Sequence, residues 1–127
     1  MLHIASQELF TAANVNLMFT PGLTHGALGL IQTFGTADQK ATYCDKMLSG
    51  EWSGTMCLTE EHAGSDVGSA LSRAIPMGGG KYKIKGTKIF ISGGDHDLTD
   101  NVVHLALARI AGAPAGIKGV SLFCVPR

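Results

Sequence analysis

One segment of the 127-residue sequence combines side chains and spacing able to do chemistry: Cys57-Leu-Thr-Glu-Glu-His-Ala-Gly-Ser-Asp-Val-Gly-Ser69. It sets the end of a strand-like run directly before a polar loop with two glycines, a serine and an aspartate. Such a loop can receive an anion. Glycine lets the backbone approach closely, a strand end presents N–H groups without partners, and Ser65 adds a hydroxyl, so a phosphate or a flavin carbonyl is a suitable guest. On the residues alone a plain Asp-Gly turn explains the segment more simply, and both readings stand.

The other constellations fall to ordinary explanations. Met77-Gly-Gly-Gly-Lys81 fails as a phosphate loop, because Ile75 replaces the first glycine and Tyr82 follows the lysine; a hairpin turn is expected. Lys81, Lys83 and Lys85 alternate with Tyr82 and Ile84 as in a half-exposed edge strand. A single-stranded nucleic-acid surface is the rival there, weakened because no second stacking residue accompanies Tyr82. His3, His25, His62, His96 and His104 include no H-E-x-x-H and no zinc spacing with cysteine, so no metal site is expected. Asp95-His-Asp97 reads as an Asp-rich turn. Ser65 and Asp66 stand near His62, but no nucleophile elbow surrounds the serine.

The elements that must position these residues divide into two stretches. Through residue 50 the pattern is helical: Leu2, Leu9, Phe10, Ala13 and Leu17 fall largely on one face, and Pro21 suits the first position of a second helix ended by Gly35. Thr36-Ala-Asp-Gln39 matches a capping box, and Gly50 supplies the stop of a third helix. From Trp52 the period shortens, with strands expected at 55–59, 70–76, 81–85, 88–92, 101–109 and 118–125. The expected architecture is α+β: helices over 1–51 packed with a small antiparallel β-barrel or sandwich over 52–127.

Composition limits the alternatives. Apolar residues make up 45% of the chain and charged residues 16%, against a usual charged share of about 25%, so a disordered charged tail is excluded. Ten basic residues balance ten acidic ones, which gives no field favouring nucleic acid or an anionic membrane. No apolar run approaches the roughly 20 residues of a membrane helix, no basic region opens a secretory signal, and a cytoplasmic setting is the default. Cys44, Cys57 and Cys124 fit neither a disulfide framework nor a C-x-x-C motif and are expected to be buried thiols.

Two motifs together change the reading of the polar loop. Cys57-Leu-Thr-Glu-Glu-His-Ala-Gly-Ser-Asp66 resembles the T-E-x-x-A-G-S-D motif of acyl-CoA dehydrogenases, flavoproteins that oxidise acyl thioesters. Lys85-Gly-Thr-Lys-Ile-Phe-Ile-Ser-Gly-Gly94 resembles the same family's G-x-K-x-W-I-T-N-G strand, in the same order and at a compatible distance. Gly50-Glu51-Trp52 resembles the family's approach to its central barrel, and the stretch 93–109 is most similar to the branch that includes methylmercaptopropionyl-CoA dehydrogenases. The resemblance implies the end of an N-terminal helical domain over 1–51 and a middle β-barrel domain over 52–127.

It also implies FAD as cofactor. Met56, Leu58 and Thr59 would line the flavin, with backbone N–H groups and the Thr59 hydroxyl near the edge that gains negative charge on reduction. Gly64 and Ser65 would meet the pyrophosphate or its neighbours, Phe90 would pack on the ring system, and Ser92 would offer a hydroxyl near the reactive edge. Glu61, Phe90 and Ser92 depart from the family's common Pro, Trp and Thr; only Glu61 changes the chemistry, leaving a less stiff turn. The carboxylate base of the family lies in a C-terminal helical domain, and Glu8, Glu51, Glu60 and Glu61 match no base position. No catalytic residue is therefore assigned, and the chain is expected to be a fragment, inactive alone, with helices missing before Met1 as well. An acyl-CoA substrate, an electron-transfer flavoprotein as acceptor and a homo-oligomer are implied. An acyl-CoA oxidase, or a noncatalytic flavin- or CoA-binding module, is the alternative.

Overall fold

The computed structural model describes residues 2–127. Three helices come first: α1 (Leu2–Ala13), α2 (Val15–Phe34) and α3 (Ala37–Ser49). Five strands follow: β1 (Trp52–Cys57), β2 (Arg73–Gly78), β3 (Lys81–Lys85), β4 (Asn101–Ile110) and β5 (Val120–Pro126). They form two compact units. The first holds the chain up to Thr55 together with Ser92–Val103 and Pro126–Arg127; the second holds Met56–Ile91 and His104–Val125.

In the first unit the capping chemistry read from the sequence decides where α3 lies. Thr36 Oγ1 accepts from the Gln39 N–H at 3.2 Å, Gln39 Oε1 accepts from the Thr36 N–H at 2.9 Å, and Gly50 ends the helix at φ +82°. Gly35 ends α2, its N–H bonded to the Ile31 carbonyl. The expected start of α2 at Pro21 is corrected. Asn14 caps the helix earlier, its side chain accepting from the Leu17 N–H at 3.1 Å, and Pro21 lies inside. A proline there forfeits one helical hydrogen bond, which the cap and the packed face of α2 outweigh. Ala27, Leu28 and Ile31 of α2 and Met47 of α3 are buried. Gly54 fits beneath them because a Cβ there would stand 2.8 Å from Ala27 Cβ. None of the residues described in α1 is buried.

The five strands pair in the order β1-β4-β2-β3, with β5 also paired to β4. Gly78, Gly79 and Gly80, all at positive φ, make the turn that joins β2 to β3, so the expected hairpin stands in place of a phosphate loop. Where an antiparallel barrel is expected, the described strands form a mixed sheet that does not close on itself. β2 pairs antiparallel with β3 but parallel with β4, in the register Arg73↔Arg109 and Ala74↔Ile110. The strand expected at 88–92 does not form; β3 and then the irregular connection after it each reverse the chain, so β4 runs beside β2 in the same direction. Lys81, Lys83 and Lys85 are exposed, while the Tyr82 ring packs edge-on against Phe123 at 5.1 Å. Cys57 is buried as expected, but Cys44 and Cys124 are only half-buried. No described helix is long and apolar enough to cross a membrane.

Candidate functional site

The polar segment singled out in the sequence begins where β1 ends. Leu58 and Thr59 are half-buried, and the chain then closes on itself: the Glu60 N–H donates to the Ala63 carbonyl at 2.9 Å and the Ala63 N–H donates back at 3.1 Å. This tight turn sends the Glu60 side chain inward, where it is only 5% exposed. One carboxylate oxygen accepts from the Leu71 N–H at 2.7 Å; the other accepts from the Ser72 N–H at 3.1 Å and from Lys88 Nζ at 2.8 Å. Those two amides are diverted from the sheet. That is why β2 starts at Arg73, later than the alternation of the sequence suggests.

Lys88 reaches two acceptors on the same segment, since Nζ also donates to the Leu58 carbonyl at 3.0 Å. Beside it the Ile89 N–H donates to the Thr59 carbonyl at 2.9 Å. The two polar motifs, separated by 18 residues of turn and hairpin, are thereby held side by side. Burial on its own raises the Glu60 carboxyl, but the Lys88 ammonium, the Ser72 hydroxyl and the Leu71 and Ser72 amides outweigh it and lower the group from 4.5 to about 2. The Ser72 hydroxyl acts from beside the carboxylate, outside the geometry of a full hydrogen bond. Glu60 is therefore an ionised partner of Lys88 at neutral pH, too weakly basic and too enclosed for a general base.

The loop that follows is fixed through its carbonyls. Arg109 donates to the Gly68 carbonyl at 2.8 Å, to Gly116 at 3.0 Å and to Pro114. His62 Nε2 donates to the Ser69 carbonyl at 3.2 Å, and the Ser69 hydroxyl bonds the Asp66 carboxylate. A Cβ on Gly68 would meet the Ile117 nitrogen at 3.0 Å, so the close crossing of these two loops depends on that glycine. His62, Ser65 and Asp66 form no hydrolytic triad here, since the His62 ring bonds a carbonyl and Asp66 bonds Ser69.

Six of the seven residues expected to face a cofactor fall in the second unit. Met56, Leu58 and Thr59 are half-buried along the end of β1; Gly64 and Ser65 are exposed in the loop, where a Cβ on Gly64 would stand 3.9 Å from the Thr59 methyl group. Phe90 follows Ile89 and is 89% exposed. Its φ of +57° lies in the left-handed region, where it is alone among the described non-glycine residues. A large aromatic presented to solvent on a left-handed backbone costs folding free energy on both counts, which makes Phe90 a candidate contact residue. Ser92 is exposed and belongs to the first unit.

Glu60, Ser72, Lys88 and Arg109 were not assigned roles from the sequence. The available signal was slight: Lys88 precedes the apolar run Ile89-Phe90-Ile91, where a lysine at the root of a half-buried segment needs a partner, and the partner is distant in sequence. Among the described residues no group of three or more His, Cys, Asp or Glu side chains can hold a metal ion.

With this geometry established, comparison with known proteins identifies its relatives. Residues 55–127 match the family model described as the acyl-CoA dehydrogenase middle domain. The chain is 48% identical over 123 residues to a 3-methylmercaptopropionyl-CoA dehydrogenase of Ruegeria pomeroyi, an alignment covering 97% of this chain and 21% of the relative. It is 42% identical over 121 residues to a butyryl-CoA dehydrogenase of Syntrophomonas wolfei, covering 94% and 20%. Among solved structures it is similar to a glutaryl-CoA dehydrogenase from Mycobacterium smegmatis in complex with FADH2, with a TM-score of 0.62 and 26% identity over 78% of this chain and 23% of that one. The chain thus spans about a fifth of the length of the curated relatives it matches.

Proposed function

The chain belongs to the acyl-CoA dehydrogenase family, and on that premise we propose that residues 56–92 provide the middle-domain part of an FAD site serving the oxidation of an acyl-CoA thioester. The observation that carries the proposal is the joining of the two motif segments: the Thr59 carbonyl takes the Ile89 N–H, and the Leu58 carbonyl takes Lys88 Nζ. This places the half-buried pair Leu58 and Thr59 next to the segment that leads into Phe90.

The residues suit a flavin. An exposed aromatic on left-handed backbone offers a flat apolar surface, and a strand end followed by Gly64 and Ser65 offers backbone approach and a hydroxyl. Bound FAD supplies the hydride acceptor, a capacity no side chain in the chain possesses. The protein's part is to bind and orient. Met56, Leu58 and Phe90 supply apolar contact, Thr59 supplies a hydroxyl at the polar edge of the ring, and Gly64 and Ser65 receive the phosphates. Donors fixed before reaction cost no reorganisation when charge develops, and that is how this rigid segment favours reduction.

An acyl-CoA substrate, with an electron-transfer flavoprotein as electron acceptor and a homo-oligomeric assembly, completes the proposal. Its support is the run of acyl-CoA dehydrogenases among the relatives. A domain boundary near residues 51 and 52, closure of the strands into the family's barrel and a cytoplasmic setting belong to the same reading. The test is a chimera in which these 127 residues replace the matching stretch of the Ruegeria pomeroyi enzyme. It is expected to retain FAD and to lose flavin absorbance when an acyl-CoA is added without oxygen. A folded chimera, by circular dichroism, that retains no flavin would overturn the reading.

A further inference from the structure

The groups that join the two motif segments are Glu60 and Lys88, and the flavin reading gives neither of them a task. Both are withdrawn from solvent, their side chains 5% and 12% exposed. An exposed ion pair contributes little to stability, but here every hydrogen-bonding partner is directional and lies on one of three segments, with the half-exposed His62 ring 3.8 Å from the carboxylate beside them. Lys88 Nζ holds the Leu58 carbonyl at 3.0 Å and Glu60 Oε1 at 2.8 Å, and Glu60 holds the Leu71 and Ser72 amides. Residues 58–60, 71–72 and 88–89 therefore meet at one carboxylate and one ammonium.

The position of this junction is what gives it consequence. Thr59 lies between Leu58, whose carbonyl Lys88 holds, and Glu60, whose carboxylate Lys88 neutralises. The next bond along is from the Ile89 N–H to the Thr59 carbonyl, and the residue after Ile89 is Phe90 on its left-handed backbone. Two faces expected to meet one rigid ring are thus set from a common anchor that holds one through the Leu58 carbonyl and adjoins the other at Ile89. Gly86 allows the third segment to close in, since a Cβ there would collide with the Ser72 side chain.

We propose that Lys88, through its pair with Glu60, is a positioning residue that holds Leu58–Thr59 in register with Ile89–Phe90 and so preorganises both segments for FAD. The consequence for FAD rests on the flavin reading above; the geometry of the anchor does not. Preorganisation of this kind contributes to affinity by removing the cost of ordering two segments at the moment of binding.

The experiment compares the wild-type chain with Lys88→Met and with the double variant Glu60→Gln/Lys88→Met. Three quantities are read: thermal stability, amide hydrogen exchange at Ile89, and FAD affinity by quenching of flavin fluorescence. Lys88→Met leaves a buried carboxylate without its cation, whereas the double variant leaves no unpaired charge and regains most of the lost stability. A merely structural role predicts that FAD affinity returns with stability. A positioning role predicts that it does not: in both variants Ile89 exchange rises at least about tenfold against Ala106 of β4, and the FAD dissociation constant rises at least about tenfold. Unchanged Ile89 protection in the folded double variant would overturn the anchor, whatever FAD does. Lost protection with wild-type FAD affinity would overturn its link to the cofactor. If the wild-type chain takes up no FAD, Ile89 exchange alone decides the anchor, and its link to the cofactor is read from the same variants in the chimera.

Discussion

The helices of the first unit and the motif segments of the second solve the burial problem in opposite ways. Along α1 and α2 large apolar side chains remain exposed, among them Leu2, Ile4, Leu9, Phe10, Leu17 and Phe19, while the second unit buries a carboxylate and most of an ammonium. An apolar face accepts any apolar cover and specifies little about it. A buried charge tolerates only partners at the right distance and angle, which for Glu60 are Lys88 and the Leu71 and Ser72 amides. The lesson concerns information: the polar junction encodes a particular arrangement of three segments, and the helical faces encode only that something apolar suits them.

That contrast can be broken from either side. The largest effect is expected at the junction. Glu60→Gln strands the Lys88 ammonium and should lower unfolding free energy by roughly 3 kcal/mol, measured by urea unfolding at neutral pH. The pH dependence has a definite sign. The Glu60 carboxyl is lowered from 4.5 to about 2, so its contribution is complete above 4.5 and disappears as pH falls through that window. The wild type should lose stability over this range more steeply than Glu60→Gln, and parallel profiles would show that the junction is not what acid breaks. A smaller effect is expected among the helices. Thr36→Ala removes one half of the capping box and should cost about 1 kcal/mol, read as faster amide exchange in the first turn of α3 with Ile89 unaffected.

How much of this was legible in the sequence follows from the range over which each signal acts. The capping box at Thr36 and Gln39, the stops at Gly35 and Gly50 and the glycine hairpin are local, and each stands where its residues place it. Pro21 misled because a proline suits a helix start but does not require one, and Asn14 supplied an earlier cap. The strand boundaries near 70 and the absent strand at 88–92 share a non-local cause. Leu71 and Ser72 give their amides to Glu60, and Lys88 gives its ammonium to a residue 28 positions away, so alternation in the sequence could not report either. The mixed sheet has the same origin, since the direction of β4 depends on how the irregular connection after β3 returns. For the site, family motifs pointed to the side chains that would face a cofactor. They left unmarked the pair that holds those side chains in place, because a partnership between distant charges has no spacing to recognise.

The most direct test of the central claim, that the two motif segments form one flavin surface, is an amide NMR titration of the chain with FAD. The account predicts saturable shifts concentrated at Leu58, Thr59, Gly64, Ser65, Ile89 and Phe90, with the amides of α3 unmoved. Saturable shifts confined to the helices, or none at the motif residues, would contradict it.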